Sequence, residues 1–215
     1  MNKIKLLHQH FYLLPERAVY WKKMSAIIVS DLHFGKAAHF RKAGIAISDE
    51  VFINDMINLD KIIHQFNANK LLVVGDMFHS DINSEVSFFS LWQKHIKPIE
   101  VILVKGNHDI MNDEVYNKLS FQIYNNQYEN ENFVFIHEPP ASNFLDENKF
   151  YFFGHLHPKV TLKGNGQQQL TLPCFYFTVN TCTLPAFSKF TGGSSVKPRN
   201  SDSIYVIAGN EVLKL

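Results

Sequence analysis

Apolar and polar positions divide the chain into two regimes. Short unbroken runs of Val, Ile, Leu and Phe alternate with longer stretches whose apolar residues recur every three or four positions. The runs AIIVSDLH (26–33), LLVVGDMFH (71–79), VILVKGNHD (101–109), FVFIHE (133–138) and FYFFGHLH (150–157) have the length and make-up of buried strands. Each closes on residues that bind divalent metals. Between the first two, Phe52, Met56, Leu59, Ile63 and Phe66 fall at helical spacing behind Ser48, a predicted N-cap. A second helix is predicted over Ser84 to Ile96, with Val86, Phe89 and Trp92 inward, and a short third over Asn112 to Leu119. Strand, helix, strand, helix, strand predicts parallel pairing with crossover helices.

The flanks read differently. The segment ending at Val19 to Trp21 predicts a hairpin or edge strand, and the close spacing of ENFVFIH and KFYFFGH predicts added β pairing. From Thr161 onward the chain is mostly β: KGNGQQQ as a turn, TLPCFYFTVN and TCTLPAF as strands, and IYVIAGNEVLKL as a closing hairpin. The loop FTGGSSVKPRNSD lies within this region and is expected to border the functional site.

Composition narrows the picture. With 215 residues and 46% hydrophobic content the chain can bury a full core, and a single domain over 1–215 is expected. The formal net charge of +1, with acids and bases interspersed, excludes a global field that would draw in nucleic acid or an anionic membrane. Cys174 and Cys182 show no CxxC spacing and read as core thiols, which fits a reducing cytosol. His8, Gln9 and His10 interrupt the opening before a signal-type apolar region develops, and no apolar stretch approaches the ~20 residues of a membrane helix.

In open α/β sheets ligands sit beyond the carboxyl ends of the strands, so one sheet edge would collect all these polar residues. Asp31 and His33, two apart on an extended segment, would point to the same side and share an ion. Asp76 has two carboxylate oxygens and is the candidate to bridge two cations. Asn107 offers a carbonyl oxygen, and His137, His155 and His157 offer imidazole nitrogens suited to Mn, Fe, Zn or Ni. Glycines at 75, 106 and 154 precede ligand positions and would let the backbone bend there. Two divalent ions with two aspartates and a bridging hydroxide leave a positive centre for a phosphate oxygen, so phosphoester hydrolysis by the bridging hydroxide is expected.

His108 is the candidate to hold a phosphate oxygen or protonate the leaving group, with Asp109 orienting its imidazole. His79 reads as a supporting or substrate-side group. Lys36, His39, Arg41 and Lys42, directly after the first motif, are candidate contacts to substrate phosphates, although a solvated helical face explains them equally well. Taken singly, the aspartates could be helix caps, Asn107 a turn residue and His137 a packed ring; five strand ends carrying ligand types together argue against coincidence.

The order D31-x-H33, G75-D76, G106-N107-H108-D109, H137, G154-H155-x-H157 resembles the calcineurin-like metallophosphoesterase superfamily. That resemblance implies a four-layer α/β/β/α sandwich with mixed sheets and a dinuclear site, commonly manganese. One ion would take Asp31, His33, Asp76 and His157, the other Asp76, Asn107, His137 and His155, leaving His108 to the scissile phosphate. More narrowly, DLHFGKAAHFRKAGIAI, GDMFHS, LPAFSKFTGG and VIAGNEVLKL resemble the ligase-associated DNA-damage-response endonuclease family of bacteria. This implies a DNA substrate in repair and, as partners, an ATP-dependent DNA ligase and a helicase. The competing expectations are a small-molecule phosphatase or nucleotide phosphodiesterase and, third, a non-catalytic binding scaffold on the same fold.

Overall fold

The computed structural model describes residues 1–215 except 43, 45, 49, 80–83, 97 and 140–144, and only the backbone of 38, 39, 42 and 84. Among the described residues, the first sheet has the order β1-β2-β3-β4-β5-β6-β7: β1 (Asn2–Leu6), β2 (Gln9–Leu14), β3 (Ala18–Trp21), β4 (Ala26–Val29), β5 (Lys70–Val74), β6 (Glu100–Val104) and β7 (Phe121–Tyr124). An antiparallel meander through β4 gives way to parallel pairing from β4 to β7. The parallel strands are joined by α1 (Lys36–Lys42) with α2 (Glu50–Gln65), then α3 (Ser84–His95), then α4 (Asp113–Lys118).

The unbroken apolar runs now have a cause. Ile27, Val29, Leu71, Val73, Val101 and Leu103 face the helices, whose Phe52, Met56, Leu59, Ile63 and Phe89 complete one core. Ala26, Ile28, Leu72, Val74, Ile102 and Val104 face the opposite way, onto a second sheet. A strand buried on both faces cannot alternate polar with apolar. Helix limits follow the sequence signals: Asn112 caps α4 by accepting from the Glu114 N–H, and Ser48 Oγ accepts from the Glu50 N–H.

The second sheet contains β8 (Gln127–Asn130), β9 (Phe133–Ile136), β10 (Phe150–Phe153), β11 (Pro158–Lys163), β12 (Gln169–Phe177), β13 (Thr181–Thr183) and β14 (Ser194–Ser195), with the hairpin β15 (Ser203–Ala208) and β16 (Glu211–Lys214) paired onto β12. Its inner face supplies Phe133, Phe135, Phe150, Phe152 and Phe175 to the core between the sheets. The rings of Phe135 and Phe152 stack with centroids 5.2 Å apart. Helices and both sheets thus form a mixed α/β sandwich of the expected kind. Helices α2, α3 and α4 pack on the first sheet, and the second sheet carries two smaller apolar clusters.

Register positions the site. Val29 pairs with Val73, Val74 with Val104, and Ile136 with Phe153, so five apolar runs stop within one residue of level in their sheets. The polar segments that continue from these runs therefore meet at one end of the sandwich. No described helix is long and apolar enough to cross a membrane.

Candidate metal centre

Beyond the strands, two segments continue side by side. Backbone N–H groups of Asp31, His33 and Phe34 donate to carbonyls of Gly75, Asp76 and Met77, and His79 returns a bond to Phe34. The D-x-H pair does not lie on an extended chain, as the sequence predicts. β4 ends at Val29, and Asp31 (φ 55°) and His33 (φ 50°) are both left-handed, as are Asp76 (φ 52°), His155 (φ 62°) and His157 (φ 45°). Non-glycine residues hold this conformation at a cost of about 1–3 kcal/mol each, and such positions concentrate at functional sites. Here the chain turns sharply at the polar residues themselves, which aims side chains from different strands at common points.

Those points are two. Asp31, His33 and His157 bring their donor atoms within 4.8 Å of one another, and so do Asp76, His137 and His155. Asp76 joins the groups: its Oδ2 lies 3.7 Å from His33 Nε2 and 3.3 Å from His137 Nε2, while its Oδ1 accepts the His108 backbone N–H at 2.9 Å. Asn107 Oδ1 lies 3.2 Å from His137 Nε2. Asp31, fully buried, has Oδ1 3.0 Å from His157 Nε2, and its two oxygens face the His155 backbone N–H at 3.3 and 3.1 Å. Ser30 Oγ also donates to it.

All three glycines serve close approach, and only Gly75 also takes a positive φ; a Cβ on Gly154 would stand 2.7 Å from Asp31 Oδ2. A Cβ on Gly106 would stand 2.2 Å from Asp76 Oδ1, and one on Gly75, which also has φ 80°, would stand 1.9 Å from His137 Nδ1.

The donors fit divalent ions. Both ring nitrogens of His33 are buried without a hydrogen-bond partner, and buried polar atoms are rarely left so. Burial pushes His33 down to about 3, against the pull of Asp76 and Asp31, so its ring is neutral as a ligand must be. His137 Nδ1 faces the Val74 carbonyl at 3.1 Å, while Nε2 faces two oxygen acceptors, Asp76 Oδ2 and Asn107 Oδ1. Only a cation or a proton between Nε2 and those oxygens relieves their repulsion. With no ion, burial lowers His137 but Asp76 outweighs it and raises it to about 9; burial likewise opposes the fall of Asp76 to about 2.

A third cluster lies alongside: His33, His79 and His108 also approach within 4.8 Å, with the His79 and His108 rings 4.5 Å apart. Asp109 departs from its expected part. Its Oδ1 accepts from the N–H groups of Met77 and Phe78 at 3.1 Å and its Oδ2 from Gly106 at 2.9 Å. The carboxylate thus fastens the 106–109 turn to the segment after Asp76, with its oxygens occupied by backbone in place of the His108 imidazole. Burial raises it to about 6.

Lys36 is half-buried and feels the carboxylates of Asp76 and Asp31, whereas Arg41 donates to the Ile47 carbonyl at 3.1 Å. The side chain of His39 lies outside the described residues. One network has no counterpart in the expectations drawn from the sequence. Asp55 interrupts the apolar stripe of α2, is buried with Ser188 and Arg17, and burial raises it to about 6. Arg17 donates to the Ala186 and Ser188 carbonyls at 3.4 and 3.1 Å. The 187–188 backbone in turn donates to the carbonyls of Ser30 and Asp31. A charged residue at a core position of the helical repeat was the available signal.

Residues 24–181, which include every member of the three His and Asp clusters, match the family described as calcineurin-like phosphoesterase. The chain belongs to that family. A solved structure described as the Pseudomonas putida nuclease MPE is similar over 100% of this chain and 99% of that one, at 28% identity and a TM-score of 0.83. A protein of unknown function, AQ665 from Aquifex aeolicus, aligns over 66% of this chain and 82% of its own at 21% identity and a TM-score of 0.45. No curated protein matches the sequence. This phosphoesterase is a metal-dependent hydrolase, and the His and Asp clusters are its candidate seats for divalent ions.

Proposed function

We propose that this phosphoesterase is a dinuclear DNA phosphodiesterase, an endonuclease of DNA repair. The observation that carries the two-ion reading is that one atom, Asp76 Oδ2, faces both clusters. The whole-chain similarity to a nuclease supports a nucleic-acid substrate. Asp31, His33, Asp76 and His157 would hold one ion, and Asp76, Asn107, His137 and His155 the other. When bound, a pair of divalent ions supplies Lewis acidity to a phosphoryl oxygen and acidifies water into a nucleophile near neutral pH. Manganese suits this mixture of imidazole nitrogen and carboxylate oxygen, as do iron, zinc and nickel.

The side chains around the ions do the rest. His108, beside Asn107 and with its ring 5.2 Å from that of His33, binds a phosphate oxygen or protonates the departing alkoxide. His79 stands against it. Asp109 acts as a positioning residue through the backbone it ties down, and Lys36 offsets phosphate charge. The two buried thiols, Cys174 and Cys182, suit a cytoplasmic setting, and the likeness to ligase-associated endonucleases points to a DNA ligase and a helicase as partners.

The test is Mn²⁺-loaded protein on plasmid and single-stranded DNA, beside mononucleotides and simple diesters. Cleavage of DNA is expected, and Asp76→Ala should lower it by more than the ~100-fold ceiling of supporting residues. Hydrolysis of mononucleotides with DNA left intact would replace this reading by a small-molecule phosphatase. Absence of all hydrolysis with less than one equivalent of bound metal would leave a binding scaffold.

A further inference from the structure

A cavity of about 310 Å³ opens beside the metal centre, lined by Lys36, Phe40, Lys189, Phe190, Thr191 and Gly192. It shares Lys36 and Phe190 with a narrow cleft that reaches His33, so cavity and candidate centre are neighbours through the same two side chains. Phe40, from α1, and Phe190 meet edge to face, with centroids 5.6 Å apart and planes at 83°. Both rings are half-buried, and exposed Lys189 and half-buried Lys36 flank them.

The placement of Phe190 is fixed. Phe187 and Ser188 hang from the Ser30 and Asp31 carbonyls, Phe190 N–H donates to Ser188 Oγ at 3.2 Å, and Thr191 Oγ1 donates to the Ser188 carbonyl at 3.0 Å. The ring is thus tied through a few hydrogen bonds to the strand end that carries Asp31. Rings between ammonium groups match a nucleotide, with its planar base on the ring and its phosphates on the cations. A lipid chain would have no use for the lysines, and inorganic phosphate none for the rings. The volume, at the small end for ligand pockets, accommodates one nucleotide.

We propose that this cavity is a nucleobase subsite that seats the base adjoining the scissile phosphate, with Phe190 as the stacking platform and Lys189 and Lys36 on the neighbouring phosphates. The inference rests on the reading of the centre as a nuclease site, and its test does not require DNA cleavage. Hydrolysis of a fixed small chromogenic phosphodiester by the Mn²⁺-loaded protein is inhibited with thymidine 5′-monophosphate and with deoxyribose 5-phosphate, and the ratio of the two Ki values is read. A ratio of about 10 in favour of the nucleotide is expected, the scale of one base–aromatic stack.

F190L, which keeps apolar volume, should bring the ratio close to one, and F190Y should retain it. Lys189→Ala, at an exposed position, should weaken both inhibitors and leave the ratio alone. A wild-type ratio near one, an F190L ratio equal to wild type, or a Lys189→Ala variant with undiminished affinity for both would overturn the subsite. DNA left uncut by an enzyme that still shows the ratio would instead retire the endonuclease reading, with the cavity serving mononucleotide substrates.

Discussion

Replacing Gly106 by alanine tests the geometry most directly. The added methyl would meet Asp76 Oδ1 at 2.2 Å, the Asp76 backbone nitrogen at 2.5 Å and Asp76 Cγ at 2.9 Å, where 3.4 Å begins ordinary contact. The shortfall at the carboxylate is 3.4 − 2.2 = 1.2 Å, and because the backbone of Asp76 is itself too close, a rotamer change of its side chain cannot relieve it. Asp76 must move with the segment 75–79, which Asp109 and the parallel 30–34 segment hold in place. Overpacking of this kind destabilises by about 1–3 kcal/mol. The functional effect should be larger in proportion, since displacements near 1 Å cost about 100-fold in rate. We expect Gly106→Ala to melt a few degrees lower, to bind fewer than two equivalents of Mn²⁺ by calorimetry, and to hydrolyse phosphodiesters about 100-fold more slowly. Gly166→Ala, with φ +69° and no atom within 4 Å of a new Cβ, is the control for an added methyl away from the centre, and it carries a backbone strain that Gly106→Ala does not. A Gly106→Ala protein with wild-type metal content and rate would refute the claim that Asp76 needs that space.

The site and its supports give three further outcomes. Because the ion-free His137 is raised to about 9, it is protonated at pH 7 and must lose that proton to bind metal; Mn²⁺ titrations in buffers of different ionisation enthalpy should show release of about one proton per protein, and zero release would contradict the raised value. Chelation should lower the melting temperature, since a ligand at 100 times its Kd contributes about 2.7 kcal/mol per site; identical melting with and without Mn²⁺ would argue against preformed sites. Asp55 is raised from 3.8 to about 6 in the folded state, so the native protein binds the proton more tightly and this group's contribution falls as pH rises through that window, by up to about 3 kcal/mol. Relative to wild type, metal-free Asp55→Asn should therefore gain about 1–2 kcal/mol between pH 5 and pH 7.5 in urea unfolding, and a constant difference would show that Asp55 keeps its ordinary affinity for protons.

Much of this architecture is written in local pattern. Runs such as Leu71 to Val74 announce strands buried on both sides, and the stripe Phe52, Met56, Leu59, Ile63 announces the helix that covers them. The seven proposed ligands were legible because each follows a run whose end is fixed by hydrophobic burial. The features without a local signature depend on tertiary approach. β7 and β8, FQIY and QYEN, carry too little apolar pattern to stand out and are held by neighbouring strands. The left-handed turns at Asp31 and His33 reverse the logic of an extended D-x-H, because facing a common ion there depends on a kink. Asp109 sits beside His108 in sequence, yet its carboxylate finds backbone donors that only folding supplies. Likewise the position of Asp55 on the apolar stripe of α2 marks it as unusual, but its partners, Arg17 and the 186–188 loop, arrive only with folding.

The pairing of Asp31 with His155, 124 positions later in the chain, makes the proposed site depend on both sheets at once. Asp31 and His33 come from the first sheet and His157 from the second, and Asp76 likewise draws its partners His137 and His155 from the second. The amino-terminal sheet alone would leave both proposed ion seats incomplete and the apolar face carrying Ile28, Leu72 and Ile102 uncovered. The proposed chemistry is therefore a property of the two sheets together and of neither alone.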